Sequence, residues 1–216
     1  MRKRRASFHN LGCKVNAWET DAMEQMLVAA GYEIVPFGEA ADVCVINTCS
    51  VTNIADRKSR QMLHRAKKQN PDAAVVAVGC YVQAAGELLR KDGAVDILIG
   101  NDRRRDLPAL LEDWFRETIA GIRDQKDGFK TFTIRPQIPK KLTRFAMASE
   151  TARGLVSSRW EKTEEGMTLE VSIPVGSTAE VFPPAKDGQT VYFDGVPSEQ
   201  SSFTLGSGTY IFTMKG

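Results

Sequence analysis

The sequence predicts an α/β doubly wound parallel sheet in its N-terminal half and an all-β antiparallel sandwich in its C-terminal half. Three observations carry this. Apolar runs of strand length alternate with segments of helical period up to about residue 120. Beyond residues 120–128 helical periodicity ceases, and short alternating runs separated by turn clusters replace it. All four cysteines, Cys13, Cys44, Cys49 and Cys80, fall in the first part. A length of 216 residues suits one large domain or two small ones.

Taken in order, RRASFHNLG reads as a short strand. AWETDAMEQMLVAAG places Met23, Met26, Leu27 and Ala30 at helical spacing, with Gly31 as its stop. YEIVPF is a strand, and ADVCVINTC is an apolar run suited to the middle of a sheet. NIADRKSRQMLHRAKKQNP is a helix that Asn53 can cap and Pro71 follows. AAVVAVGC is a second buried strand, AAGELLRKDG a helix and AVDILIGN a strand. LPALLEDWFRETIAGI is the last helix, with Pro108 in its first turn. This β-α-β-α order calls for a parallel sheet covered by helices on both faces. In the second half, GFKTFTIRPQ opens the new pattern. GLVSSRWEKTEEGMTLEVSIP reads strand, turn, strand, with TEEG as the hairpin. TAEVFPP, QTVYFDG, SFTL and GTYIFTM continue it, with GSG as a turn.

A net charge of +2 does not by itself mark a nucleic-acid binder. No run of about 18 apolar residues is present, so no membrane-spanning helix and no membrane partner are expected. The start, MRKRRASFHNLG, is basic but has no apolar stretch behind it and does not read as a secretory signal. A cytoplasmic location is the expectation, and disulfides are not expected in that compartment.

On this map Cys13, Cys49 and Cys80 each follow a parallel strand, at the carboxyl edge where open α/β sheets place their sites. Cys44 lies inside a strand between Val43 and Val45 and reads as a small buried hydrophobe. Three thiolates at one edge suit a soft metal centre. They would leave one position open on zinc, or one iron open on a four-iron cluster. Three unrelated buried thiols are the plain alternative, and spacing alone does not choose between the two.

The segments LGCKVNAWET, CVINTCSVTNIADRKSRQ and VVAVGCYVQ closely resemble the N-terminal domain of the tRNA methylthiotransferases, in particular the threonylcarbamoyladenosine-modifying branch. The resemblance covers about residues 3–110 and implies that Cys13, Cys49 and Cys80 bind a [4Fe–4S] cluster whose open iron serves sulfur delivery in methylthiolation. Gly12 would then let the backbone pass close to the cluster. Asn16, Asn47, Thr48 and Gln83 are candidates to bond cluster sulfurs or substrate, or else serve as turn and cap residues. The helix after Cys49 carries Arg57, Lys58, Arg60, Arg65, Lys67 and Lys68 against one acid, Asp56. With the resemblance, that stripe points to tRNA as a partner. His9 and His64 lack metal-ligand spacing and read as surface or capping groups; Trp18 reads as core.

Enzymes of that family continue into a radical S-adenosylmethionine domain marked by a C-x-x-x-C-x-x-C run. No cysteine follows Cys80, so use of S-adenosylmethionine would require a domain outside this sequence, and the module is expected not to be catalytic alone. Instead, EDWFRETIAGI, GFKTFTIRPQ and MASETARGLVSSRWEKTEEGMTLEVSIPVGSTAEVFPPA resemble the end of a bacterial α-L-rhamnosidase, over about residues 112–216. There the first piece closes an (α/α)6 catalytic barrel and the remainder is a C-terminal β-sandwich. The barrel and its paired carboxylates are not in the sequence. Glu164 and Glu165 fall in the predicted hairpin turn and read as solvated. Trp160, Tyr192 and Tyr210 read as core rather than as platforms for carbohydrate, which keeps sugar binding a weak expectation. The expected division is 1–112 for the iron–sulfur domain, 113–122 for a connecting helix end and 123–216 for the sandwich. Two unrelated halves, each without the catalytic domain of its family, point to a chimera, by gene fusion, assembly error or design. A non-catalytic glycoside-hydrolase accessory protein is the alternative function.

Overall fold

The computed structural model describes residues 3–12, 14–50 and 52–216, with the side chain of Asn53 outside the description. The chain divides into two compact units, 1–111 and 112–216.

The first unit is built on five parallel strands: β1 (Arg5–Asn10), β2 (Glu33–Val35), β3 (Val43–Thr48), β4 (Ala74–Gly79) and β5 (Ile97–Ile99). Their spatial order is β2-β1-β3-β4-β5, all pairs parallel, so the chain reverses direction across the sheet between β1 and β3. Every residue of β3 and β4 is buried, which is why VCVINT and AVVAVG are continuous rather than alternating runs. Helices α1 (Lys14–Ala29), α2 (Asn53–Gln69), α3 (Cys80–Arg90) and α4 (Leu107–Trp114) follow β1, β3, β4 and β5, the last after a 3₁₀ segment, Asn101–Asp106. Leu63 and Ala66 of α2 and Tyr81, Val82 and Leu89 of α3 pack on Cys44, Ile46, Val75 and Ala77. On α1 the buried face is Asn16, Thr20, Met23 and Leu27. That face is half polar, and the reason lies in the site described below.

After the last turn of α4, the second unit continues through a π-helical turn, Phe115–Ile119, into two sheets. A four-stranded sheet has the order β14 (Phe203–Leu205), β11 (Thr178–Val181), β7 (Thr131–Ile134), β6 (Ile122–Asp124). A six-stranded sheet has the order β13 (Val196–Ser198), β12 (Thr190–Phe193), β15 (Gly208–Lys215), β10 (Gly166–Ile173), β9 (Gly154–Thr163), β8 (Arg144–Thr151). All pairs are antiparallel except β7 with β11. Inward residues alternate along β10, where Met167, Leu169, Val171 and Ile173 are buried. Phe203 of the smaller sheet lies 5.0 Å from Phe212 of the larger, ring centre to ring centre.

The fold class is as the sequence predicts, and several details differ. α1 begins at Lys14, three residues before the apolar period becomes visible. Thr52, not Asn53, caps α2: its hydroxyl accepts the Ala55 N–H at 3.1 Å. α3 starts at Cys80 itself and bends at Ala85, where φ and ψ leave the helical region. The last helix ends at Trp114 and gives way to the π turn. β6, β8 and β13 were not evident in the sequence pattern. Trp18 is a correction: it is 82% exposed, lying opposite the buried face of α1.

Candidate metal centre

The site is the carboxyl edge of the parallel sheet. β3 and β4 run in register so that Thr48 pairs with Gly79. Cys49 and Cys80 are therefore the first residues past the same rung of two neighbouring strands. Cys49 is buried and Cys80 partly exposed, and both are free thiols. Cys13, the third expected ligand, follows β1 in sequence and lies outside the described residues. Among the described residues no group of three His, Cys, Asp or Glu side chains is gathered for a metal.

The backbone around these positions is pinned by buried polar groups. The Cys49 N–H donates to Ser59 Oγ at 3.3 Å, and the same hydroxyl donates back to Cys49 O at 3.1 Å. Ser59 is wholly buried on α2, so one side chain fixes both polar groups of the Cys49 backbone. Asn16, on α1, donates from Nδ2 to Thr48 O at 3.1 Å and to Asn47 Oδ1 at 3.4 Å. Asn47 Nδ2 donates to Asn16 O at 2.9 Å and to Thr20 Oγ1 at 3.1 Å. Thr20 closes the circuit by donating to Asn16 O at 2.8 Å. Thr48 Oγ1 donates to Val78 O at 2.6 Å, stitching β3 to β4 beside the cysteines.

Two glycines complete the cradle. A Cβ on Gly12 would fall on the side chain of Asn16. Gly79 has φ of +102°, and a Cβ there would meet Thr48 O and, at 2.6 Å, Asn47 Oδ1. Of the residues weighed as sulfur or substrate contacts, Asn16, Asn47 and Thr48 are thus buried braces of the cysteine-bearing turns. Gln83 is exposed on the first turn of α3. Sequence reasoning missed Ser59 and Thr20; a hydroxyl on the apolar face of each helix was the available signal.

A thiol-seeking metal group fits what is described here. The donors are free thiols at adjacent strand ends, the Cys49 backbone is held by Ser59, and Gly12 and Gly79 carry no Cβ beside the cysteines. Cys44 stands apart. It is buried within β3, its sulfur accepts from Ser7 Oγ at 3.4 Å and Asn70 Nδ2 at 3.7 Å, and burial pushes its thiol pKa up. It has the inert character expected of it.

On α2, Arg57, Lys58, Arg60, Arg65 and Lys68 are exposed. Lys67 is not part of a free stripe: its ammonium pairs with Asp96 at 2.8 Å and also donates to Ala73 O at 3.2 Å. His64 is exposed and stands 3.0 Å from Asp92 Oδ2. His9 is half-buried against Phe37 rather than a surface group, and burial followed by the charge of Arg65 lowers its pKa. In the second unit, Trp160 is fully buried and donates to Ile119 O at 3.1 Å. Tyr192 and Tyr210 are half-buried, and Glu164 and Glu165 are exposed in their turn. No helix of the described residues is long and apolar enough to cross a membrane.

Residues 5–100 match the family model described as uncharacterized protein family UPF0004, and residues 121–194 match the bacterial α-L-rhamnosidase C-terminal domain. Over 110 residues the chain is 44% identical to a threonylcarbamoyladenosine tRNA methylthiotransferase of Aquifex aeolicus, covering 51% of this chain and 27% of the relative. The same enzyme of Bacillus subtilis is 44% identical over 118 residues, 54% of this chain and 26% of the relative. A tRNA-2-methylthio-N(6)-dimethylallyladenosine synthase of Sorangium cellulosum is 38% identical over 113 residues, 50% of this chain and 23% of the relative. The chain thus spans about a quarter of the length of these relatives. Among solved structures, the α-L-rhamnosidase of Dictyoglumus thermophilum aligns over 53% of this chain and 14% of that one, at a TM-score of 0.48 and 25% identity. That of Streptomyces avermitilis aligns over 48% and 10%, at 0.42 and 32%. The chain is therefore similar to UPF0004 over residues 5–100 and to the bacterial α-L-rhamnosidase C-terminal domain over residues 121–194.

Proposed function

We propose that the first unit is the iron–sulfur module of a tRNA methylthiotransferase acting on threonylcarbamoyladenosine, with Cys13, Cys49 and Cys80 as ligands of a [4Fe–4S] cluster. The observation that carries the reading is the register of β3 and β4, which puts Cys49 and Cys80 side by side at the edge of a sheet whose next strand, β1, leads to Cys13. When bound, the cluster would supply an open iron for sulfur delivery. The chain's own part is to hold the three thiolates, through Ser59 on Cys49 and the tight turns at Gly12 and Gly79. Within these 216 residues the module works as a cluster carrier and depends on a radical S-adenosylmethionine domain for turnover.

tRNA is the proposed partner, met by the exposed cations of α2 other than Lys67. The second unit is proposed as a non-catalytic accessory sandwich. Its Trp160 is spent on the core, which speaks for a structural rather than a sugar-stacking role. The test is iron and acid-labile sulfide per chain after anaerobic reconstitution. About four of each are expected. Cys49→Ala should abolish loading and Cys44→Ala should leave it intact. Loading that needs Cys44 and not Cys49, or no iron at all, would remove the reading.

A further inference from the structure

We infer that Asn47 is a positioning residue of the thiol site, the side chain that ties the end of β3, before Cys49, to the first turns of α1. This rests on the reading of that edge as a thiolate metal centre and deepens it. Asn47 is fully buried at the penultimate position of the central strand β3. Both ends of its amide bond α1, and its backbone carbonyl bonds the end of β1.

Towards β1, Asn47 O accepts the Leu11 N–H at 3.0 Å, just before Gly12. Its Nδ2 holds Asn16 O and Thr20 Oγ1, which fixes the start of α1 on the far side of position 13. Asn16 in turn fills the space beside Gly12. Towards β4, Asn47 Oδ1 lies 2.6 Å from where a Cβ of Gly79 would stand, directly before Cys80, so only glycine fits beside it. Along β3 itself, its neighbour Thr48 carries the carbonyl that Asn16 grips, directly before Cys49. A buried amide with three hydrogen bonds to one neighbouring helix is costly to lose and specific in geometry, which suits a template better than a filler. An apolar residue of similar size would pack there but would fix none of these distances. Burial of Asn16 and Thr20 on α1, where a helix ordinarily presents apolar side chains, follows from the same demand.

The test uses cobalt(II) alone as the probe, titrated anaerobically into the 216-residue apo chain and read by sulfur-to-cobalt charge-transfer absorbance. Iron and sulfide content after reconstitution is the second readout. Asn47→Ala and Asn47→Asp are compared with Leu63→Ala, a core truncation on the opposite face of the sheet that touches none of these bonds. Asn47→Asp keeps the acceptor and loses the two donated bonds. Both Asn47 variants are expected to lower cobalt affinity by about 10–100-fold, the range for lost supporting bonds at a metal site, with iron content falling in parallel. Leu63→Ala, although destabilised, should bind cobalt as the parent does below its melting temperature. If Asn47→Ala does not fold, Thr20→Val removes a single bond to Asn47, and a several-fold loss is expected. Parent-like cobalt affinity in the folded Asn47 variants, or in Thr20→Val, or an equal loss in Leu63→Ala, overturns the inference and leaves the iron–sulfur reading standing. A parent chain that takes up neither cobalt nor iron overturns both.

Discussion

Gly79→Ala should unfold the first unit far more readily than any change of one methyl group ordinarily does. The residue has φ of +102° and ψ of −168°, a region open essentially to glycine. Forcing a side chain into it costs about 1–3 kcal/mol. The added Cβ would also press on the backbone of Thr48 and on Asn47 Oδ1, atoms held inside a paired sheet that cannot step aside. Overpacking of that kind costs about 1–3 kcal/mol more. The loss of about 2–6 kcal/mol is large beside a domain stability of about 5–15 kcal/mol. The assay follows from the placement of cysteine: all four lie in the first unit, and Cys44 is 1% exposed. Alkylation of Cys44, followed by peptide mass, therefore reports opening of the first unit alone. Under conditions where closing outpaces labelling, Gly79→Ala should label at least about 30-fold faster, the factor for 2 kcal/mol. Gly86→Ala is the internal control. It sits in α3 with open space around it, and it should leave labelling unchanged or slow it. Equal labelling of Gly79→Ala and the parent would refute the account of the turn.

Three further outcomes are expected. Leu63→Ala, at a fully buried position of α2, should cost about 2–5 kcal/mol in urea unfolding; a loss below 1 kcal/mol would contradict its place in the core. Ser158, wholly buried in β9 with a hydroxyl that has no partner among the described residues, should tolerate alanine, which raises the melting temperature of the second unit or leaves it unchanged. A clear fall would mean that the hydroxyl is bonded. His9 carries a pKa lowered by burial and then by Arg65, so the unfolded chain binds its proton first as pH falls. First-unit stability should therefore be complete above about pH 6.5 and decline below it, and His9→Asn should flatten that decline in urea midpoints taken at several pH values. An unaltered pH profile in His9→Asn would assign the acid sensitivity elsewhere.

What could be read in advance follows from how directly each residue's environment is written in its polarity. VCVINT and AVVAVG are buried on both faces and announce themselves as central strands. Cys49 and Cys80 were placed at the sheet edge by those strands alone. α1 was harder, because its inner face includes Asn16 and Thr20 while Val15, Trp18 and Val28 face outward. A helix that buries amides to brace a turn inverts the hydropathy rule, so Trp18 was assigned to a core it does not enter. β8 escaped notice because it is an edge strand in which only Phe145 is buried, and β13 because it is a three-residue edge strand with Pro197 at its centre. The bonds of Asn47 depend on three separate segments meeting, which no local pattern encodes.

The parallel arrangement of β1, β3 and β4 has a consequence for biosynthesis. In a parallel sheet, neighbouring strand ends come together only after the intervening crossover has been made. Positions 13, 49 and 80 each follow a different strand, so no short peptide of this chain contains the whole set. A growing polypeptide cannot present all three thiols until it has emerged as far as the start of α3, and the strand that completes this side of the sheet, β5, comes later still. Whatever the three positions bind, their assembly is thereby ordered in time: the strands that carry them must be made and paired first.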